Sequence, residues 1–483
     1  MNAKDLRRAA LAVLFSLLPL TLLAQGVDPP LRLQGLDRSM VPGVRAAGMG
    51  GVSIAIGGTA NAVFTNPAAL SELQTFDLRL GLGWSEHRTR QTQYWIPNRF
   101  YTNLSLLMEN LVDQIKDPVV TDPRDALQKP YDDLTPNWKD LQYTLSPGVL
   151  SAAMPVDLGG VRAVIALGGA QVFDLNYYYR NNNGMEPNIG QYRPEPIPVV
   201  RGSDTLVARW FSSTHERTGA VYGITPGFSI DLLGDLSLGA GVTILTGKSD
   251  DDEVRVDRGR LVFDAVYRFR NDSVYYRKTA TGSSTYGGFI PTFGAQYRGR
   301  YFSAGAALKL PATITREWDR TTTIDTTGSS TVLQESGSDE LQIPLSYALG
   351  FALHPGPDWK IGVDYVVRQY EDAEVTAGGS TTNPWLGGKM LRLGAEFRAA
   401  RWIALRGGYR EEVGVFIPDG TGLLDEPVRG SVYTVGLGLT FGPVTVDLAY
   451  EYLLLKYQDV WETNVNDNKR VQHSILTEFS IAL

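Results

Sequence analysis

Val444-Thr445-Val446-Asp447-Leu448-Ala449-Tyr450-Glu451-Tyr452 is apolar at every even position, while its odd face carries Asp447 and Glu451. A period of two is the signature of a β-strand with one apolar and one polar side. The pattern recurs in residues 76–85, where Phe76, Leu78, Leu80, Leu82 and Trp84 alternate with Asp77, Arg79, Gly81, Gly83 and Ser85. It recurs again in 391–398, whose odd positions are apolar and whose even face holds Arg392, Glu396 and Arg398. A soluble barrel would turn its apolar face inward. Charged residues and glycines on the other face fit better with an apolar face turned outward to lipid.

Fourteen such segments can be drawn: 76–86, 144–154, 161–175, 218–231, 235–248, 286–298, 301–312, 341–353, 358–371, 386–398, 401–412, 431–441, 443–457 and 470–483. Connections after even-numbered segments are very short, whereas those after odd-numbered ones are longer, foremost 87–143, 176–217, 249–285 and 313–340. Strict alternation of short turns and long loops predicts an all-β, antiparallel transmembrane β-barrel of about 14 strands. An even strand count leaves both ends of the barrel on the short-turn, periplasmic side. Prolines recur in Ser146-Pro147-Gly148, Thr225-Pro226-Gly227, Ile290-Pro291-Thr292 and Ile343-Pro344-Leu345, near the expected starts of the second, fourth, sixth and eighth strands. Proline lacks a ladder donor, so strand starts or bulges are where it belongs.

Composition agrees with a barrel. The chain has 483 residues with 51 glycines, 23 tyrosines, 9 tryptophans and no cysteine. The formal charge of -7 argues against a sequence-independent grip on nucleic acid. Residues 1–24 read as a signal peptide: Lys4, Arg7 and Arg8 precede an apolar run, and Ala24 supplies a small residue for cleavage. Its removal takes three cations and Asp5, leaving a charge near -9. No later stretch has 18 uninterrupted apolar residues, so no membrane-spanning helix is expected. The expected organisation is a signal peptide over 1–24, a periplasmic segment over 25–75 and a barrel over 76–483.

Residues 43–73 read GVRAAGMGGVSIAIGGTANAVFTNPAALSEL. Small apolar residues punctuated by Gly48, Gly50, Gly51, Gly57 and Gly58 have too little bulk for a core of their own, so this segment must pack inside something else. Here the chain resembles the N-terminal hatch of the FadL-type outer-membrane transporters. The matching residues are Arg45, Gly48, Gly50 and Gly51, followed by Asn66-Pro67-Ala68. The pattern departs at Gly57-Gly58-Thr59, where the family has an acidic residue, and at Ala69, where it has glycine. The resemblance implies a hatch plugging the lumen of a barrel in the outer membrane of a Gram-negative-type bacterium. It also implies transport of hydrophobic compounds, long-chain fatty acids or aromatic hydrocarbons, whose partners are hydrophobic small molecules or lipids and the surrounding outer-membrane lipid. PorV-like proteins carry a similar signature, which makes a component or cargo shuttle of a type IX secretion system, with secretion-system subunits as partners, the alternative. The closing segment, with Ile475, Thr477, Phe479, Ile481 and Leu483 on one face, resembles the strand recognised by outer-membrane assembly machinery, although that signal usually ends in an aromatic residue.

Arg392, Glu396, Arg398, Arg406, Arg410, Asp447 and Glu451 fall on the polar faces and are candidate lumen charges, read first as an interior salt-bridge network. Catalysis is not expected, nor is a cofactor or metal. The four histidines lack metal-ligand spacing. His215, near an expected strand top, reads as a loop residue rather than half of a Ser/His pair. Asp250-Asp251-Asp252-Glu253 reads as a solvated acidic turn before a divalent-cation site. Leu106, Leu107, Leu111 and Ile115 in 105–116 have helical spacing and suggest a short helix over the barrel mouth.

Overall fold

The computed structural model describes residues 35, 36, 38, 40–95, 137–186, 205–264, 269–272, 275–383, 385–414, 427–461 and 464–483. Residues 1–24, read above as a signal peptide, and the stretch 105–116, read as a short helix, lie outside the described residues, as does the 25–34 part of the segment read as periplasmic.

The strands are β1 (Asp77–Trp95), β2 (Trp138–Leu158), β3 (Val161–Asp174), β4 (Tyr177–Glu186), β5 (Thr205–Asp231), β6 (Leu236–Asp264) and β7 (Phe269–Asp272). They continue with β8 (Tyr276–Arg298), β9 (Phe302–Lys309), β10 (Ala312–Thr326), β11 (Ser329–Ile343), β12 (Ser346–Gly356), β13 (Trp359–Arg368) and β14 (Glu374–Ala377). The last six are β15 (Ser380–Thr382), β16 (Gly388–Ala400), β17 (Ile403–Gly414), β18 (Val428–Phe441), β19 (Val444–Trp461) and β20 (Asn464–Ala482). All pairings are antiparallel, and β1 pairs with both β2 and β20, which closes the sheet on itself. Five staves are built end to end from two strands each (β3 with β4, β9 with β10, β11 with β12, β13 with β14, β15 with β16), and β7 lies against the top of β6. The result is a closed barrel of fourteen staves.

The staves are longer than their apolar alternation suggested. Both ends of 87–143 and nearly all of 313–340, expected as loop, continue the ladder, as do large parts of 176–217 and 249–285, for which strand extensions above the membrane could be read from the sequence: β5 and β6 pair from Asp231↔Ser237 up to Thr205↔Asp264, and β10 and β11 from Ala312↔Ile343 up to Thr326↔Ser329. Above the membrane the outer face meets water rather than lipid, so the apolar half of the pattern lapses while backbone pairing persists. This lengthening also moves the prolines away from the strand starts. Pro147 sits mid-strand at a register shift between β1 and β2, and Pro226 lies where β5 and β6 skip rungs between Ile224↔Ile244 and Gly227↔Gly241. Pro291 marks the exchange of partners on β8 from β10 to β9, and Pro344 lies in the break between β11 and β12. Each removes a donor where the ladder is already interrupted.

The outward side chains form an apolar band, with Leu80, Leu82, Leu167, Ile224, Leu349 and Val435 all exposed. Aromatic residues border it. Trp359 stacks on Phe397 beside exposed Trp402 and Phe441 near the short turns, and Trp84 stacks on Tyr143 at the other edge. No helix among the described residues is long and apolar enough to cross a membrane. An apolar band with two aromatic girdles on a closed sheet is a transmembrane barrel of the outer-membrane type.

Candidate functional site

Residues 43–73 thread through the bore near the short turns. They form one helical turn, Val44–Gly48, and two 3-10 turns, Ala60–Phe64 and Pro67–Glu72. Inward-facing wall glycines admit the segment. A Cβ at Gly436 would lie 3.1 Å from the Gly48 Cα, one at Gly362 2.6 Å from Val52, and one at Gly350 2.7 Å from Ile54. In return, Gly50 has φ +66° and presses its backbone against Leu393 and Tyr409, a conformation and proximity that exclude a side chain. Ala60, Val63, Phe64, Leu70 and Leu73 pack on Val149, Ala153, Val164 and Ala170 of β2 and β3.

Polar contacts fix the segment's position. Arg45 donates two bonds to Glu396, at 2.9 and 2.8 Å, and a third to the Gly57 carbonyl. Arg406 bridges Glu396 (2.7 Å) and Asp447 (2.6 Å), so three of the candidate lumen charges converge with Arg45. The Gly51 carbonyl accepts from Arg392, and Thr434 accepts from the Gly50 amide while donating to the Gly48 carbonyl. Asn66 caps its turn by accepting from the Ala68 amide and donates to the Ile54 and Ala295 carbonyls; Pro67 opens that turn, where its missing N–H costs nothing. Arg410 and Glu451 pair separately, at 2.6 and 3.1 Å, higher in the bore. Arg398 shares the inward parity but lies exposed beside the Asp358 turn, so it joins neither group.

Other anchors escaped the sequence reading. Asp364 accepts from the Ser53 and Ile54 amides, Asp77 from the Ala60 amide, and Glu478 from the Val44 amide, the Asn61 side chain and Arg79. Asp77 and Arg79 stood in plain view on the polar face of the first strand. Nothing in one strand, however, announces which carboxylate will meet an amide from elsewhere in the chain.

Above residues 43–73 the wall is incomplete among the described residues. The β2–β3 ladder runs only from Leu158↔Val161 to Val149↔Ala170, and among the described residues the rest of β2 pairs with β1 alone and β4 with β5 alone. Trp138 packs edge-on against Tyr178 and Tyr179 and bounds the gap from above. A cavity of about 210 Å³ inside the bore, lined by His87, Gln142, Gln171, Asn176, Tyr177 and Arg470 among others, reaches this gap. An outer groove lined by Leu145, Tyr222 and Thr246 shares Ser146, Gln171 and Asn176 with it. The preceding chain borders the opening: the Met40 amide donates to the Val172 carbonyl, the Asp174 amide to the Arg38 carbonyl, and Leu36 is fully buried among Phe173, Leu175 and Val221.

His215 is a buried residue inside β5, 3.6 Å from Glu253, rather than a loop residue. Residues 250–253 are likewise strand, not turn. Asp251 holds Arg217 (2.6 Å) and Arg316 (3.2 Å), and Glu253 holds Arg320 (2.9 Å), so guanidinium groups occupy these carboxylates. Among the described residues no cluster of three metal-ligating side chains occurs.

No protein-family model and no curated protein matches the sequence. Solved structures do match in fold. The Pseudomonas putida toluene transporter TodX superposes with a TM-score of 0.55 at 14% identity, covering 93% of this chain and 99% of that one. A Pseudomonas aeruginosa FadL homologue gives 0.55 at 12% identity, covering 94% and 98%. The Ralstonia pickettii toluene transporter TbuX gives 0.50 at 12%, covering 91% and 98%. The closed fourteen-stave barrel is therefore a FadL/TodX-type fold.

Proposed function

We propose that this protein admits small hydrophobic or amphipathic molecules through the outer membrane by a sideways route, with residues 43–73 as the hatch that blocks the straight one. The observation that supports this most is the continuity between the bore cavity and the outer groove at Ser146, Gln171 and Asn176. A molecule entering from outside meets a packed hatch below and an interrupted wall beside it. Leaving through that interruption delivers an apolar molecule into lipid, which favours it by about 25 cal/mol per Å² withdrawn from water. Similarity of fold to proteins named as toluene transporters and a FadL homologue supports the same reading. Within the substrate range of aromatic hydrocarbons and long-chain fatty acids, a cavity mixing Leu453, Leu455 and Val413 with His87, Gln142 and Arg470 favours an amphiphile such as a fatty acid.

Uptake of labelled oleate and toluene into proteoliposomes tests this. The proposal expects saturable oleate uptake, reduced at least tenfold when the gap is filled by Ser146→Trp; uptake indifferent to that change would overturn the sideways route.

A second reading, the secretion-partner role, is supported by β11. Among the described residues, Ser329–Ser338 pairs only with β10, and exposed Val332 and Leu333 sit on this free edge, a surface to which another chain can add a strand. Co-purification of secretion subunits that is lost on Val332→Pro would favour it.

A further inference from the structure

The outward face of β19, β20, β1 and β2 carries four cations on one rung. Lys456 is opposite Lys469, Lys469 is opposite Arg90, and Arg90 is opposite Lys139. All four are exposed. Directly opposed like charges destabilise a sheet pair, and here three successive pairs repeat the offence. Nearby acids relieve it only in part. Among the described residues none of the four has an ion-pair partner: Asp467, one same-face rung above, offers a single carboxylate that accepts from Gln458, and Glu86, two such rungs below, pairs with Arg88.

The position of this row is informative. Tyr143, Glu86, His473 and Tyr452 share the rung that marks the upper aromatic girdle, where Tyr452 packs on His473 and Trp84 on Tyr143. The cationic rung lies four residues farther along each strand, about 13 Å, just beyond the hydrocarbon boundary. Neighbouring strands are about 4.8 Å apart, so the four charges span roughly 15 Å of the barrel circumference. In an outer membrane that level holds the phosphorylated, saccharide-rich headgroups of the outer leaflet.

We infer that Arg90, Lys139, Lys456 and Lys469 form a binding strip for the phosphate groups of outer-leaflet lipopolysaccharide. A polyanion spanning several cations removes the mutual repulsion that one neighbouring carboxylate leaves largely in place, and an ammonium or guanidinium donates directly to phosphate oxygens. The strip depends on the barrel's place in the membrane, not on what it transports.

Binding of lipopolysaccharide carrying both lipid A phosphates to the full-length protein in non-ionic detergent tests the inference. The fourfold variant R90Q/K139Q/K456Q/K469Q should bind at least tenfold more weakly, since each cation near an anionic surface contributes roughly fivefold. Dephosphorylated lipopolysaccharide should bind the wild type as weakly as it binds the variant, and added salt should weaken only the phosphorylated complex. Thermal unfolding supplies a sign that a merely structural role would not give. Without lipid the variant should be as stable as the wild type or more so, and with lipid the order should reverse. Should the fourfold variant not assemble, K456Q/K469Q is compared with K248Q/K389Q, exposed cations elsewhere on the barrel. Equal losses for the two double variants, unchanged affinity in the fourfold variant, or inorganic phosphate stabilising the protein as well as the lipid would each overturn the strip.

Discussion

The two ends of the bore are built on opposite principles. Near the short turns the inward groups are committed to one segment: wall glycines receive the backbone of residues 43–73, and Asp77, Asp364, Glu396 and Glu478 each meet an amide, amide side chain or guanidinium of it. Beside β2 and β4 the wall stops pairing among the described residues, a cavity remains, and a few bonds border it: two backbone bonds involving Arg38 and Met40 and one from the Arg38 side chain to the Asn176 carbonyl. The same chain thus makes one obstruction from many shared contacts and one opening by withholding a few. A passage needs no moving gate if its blocked and open directions are assigned to different parts of the wall.

The comparison breaks most visibly if the hatch is removed. Deleting residues 43–73 should convert a closed barrel into a steadily conducting pore in planar bilayers, a gain of at least an order of magnitude in ion current. Unchanged current would mean the obstruction lies elsewhere, for instance in the apolar cluster of Tyr370, Trp385 and Met390 higher in the bore. Glu396→Ala comes next. It leaves Arg45 and Arg406 facing each other without their shared carboxylate, a loss of about 3–5 kcal/mol for a buried pair deprived of one partner. Denaturant unfolding should register it, and brief channel openings should accompany it. Replacing Ser146 by Trp acts on the other end: at least a tenfold fall in amphiphile uptake, with hatch-deletion current unaffected when the two changes are combined.

The smallest effect concerns the rim, clear of the membrane. Asp459, near the outer end of β19, is packed beside Asn466 and Asn468, and burial pushes its carboxyl up from 3.8 to about 6. The folded state therefore holds a proton that the unfolded chain has lost between about pH 4 and 6. Stability of the β19–β20 tip should fall as pH rises through that window and stay lower above it. Asp459→Asn should flatten this dependence, as hydrogen exchange at the tip would report.

Much of this was legible in the sequence because membrane barrels repeat their logic. Residues such as Leu80 and Leu82 report lipid directly, so the number of staves and the short turns could be read from period and spacing. Above the girdles that pressure disappears; both faces of β11 from Ser329 to Ser338 are exposed, and no periodicity marks them as strand. Within the site, Arg45 and Gly48 could be named from the hatch pattern, and Glu396, Arg406 and Asp447 from strand parity. That same parity placed Arg398 in the lumen, where its closeness to a turn leaves it exposed instead. Asp364 and Glu478 stayed hidden because their partners lie more than 300 and 400 residues away in sequence.

The barrel is closed by β1 pairing with β20, with Phe76 and Leu483 exchanging backbone bonds in both directions. The seam thus joins the first strand to the last one, the longest loop this chain must shut. Such distant pairing is entropically slow and cannot begin until the final strand has arrived. Until then β1 keeps a raw edge, open to pairing with strangers.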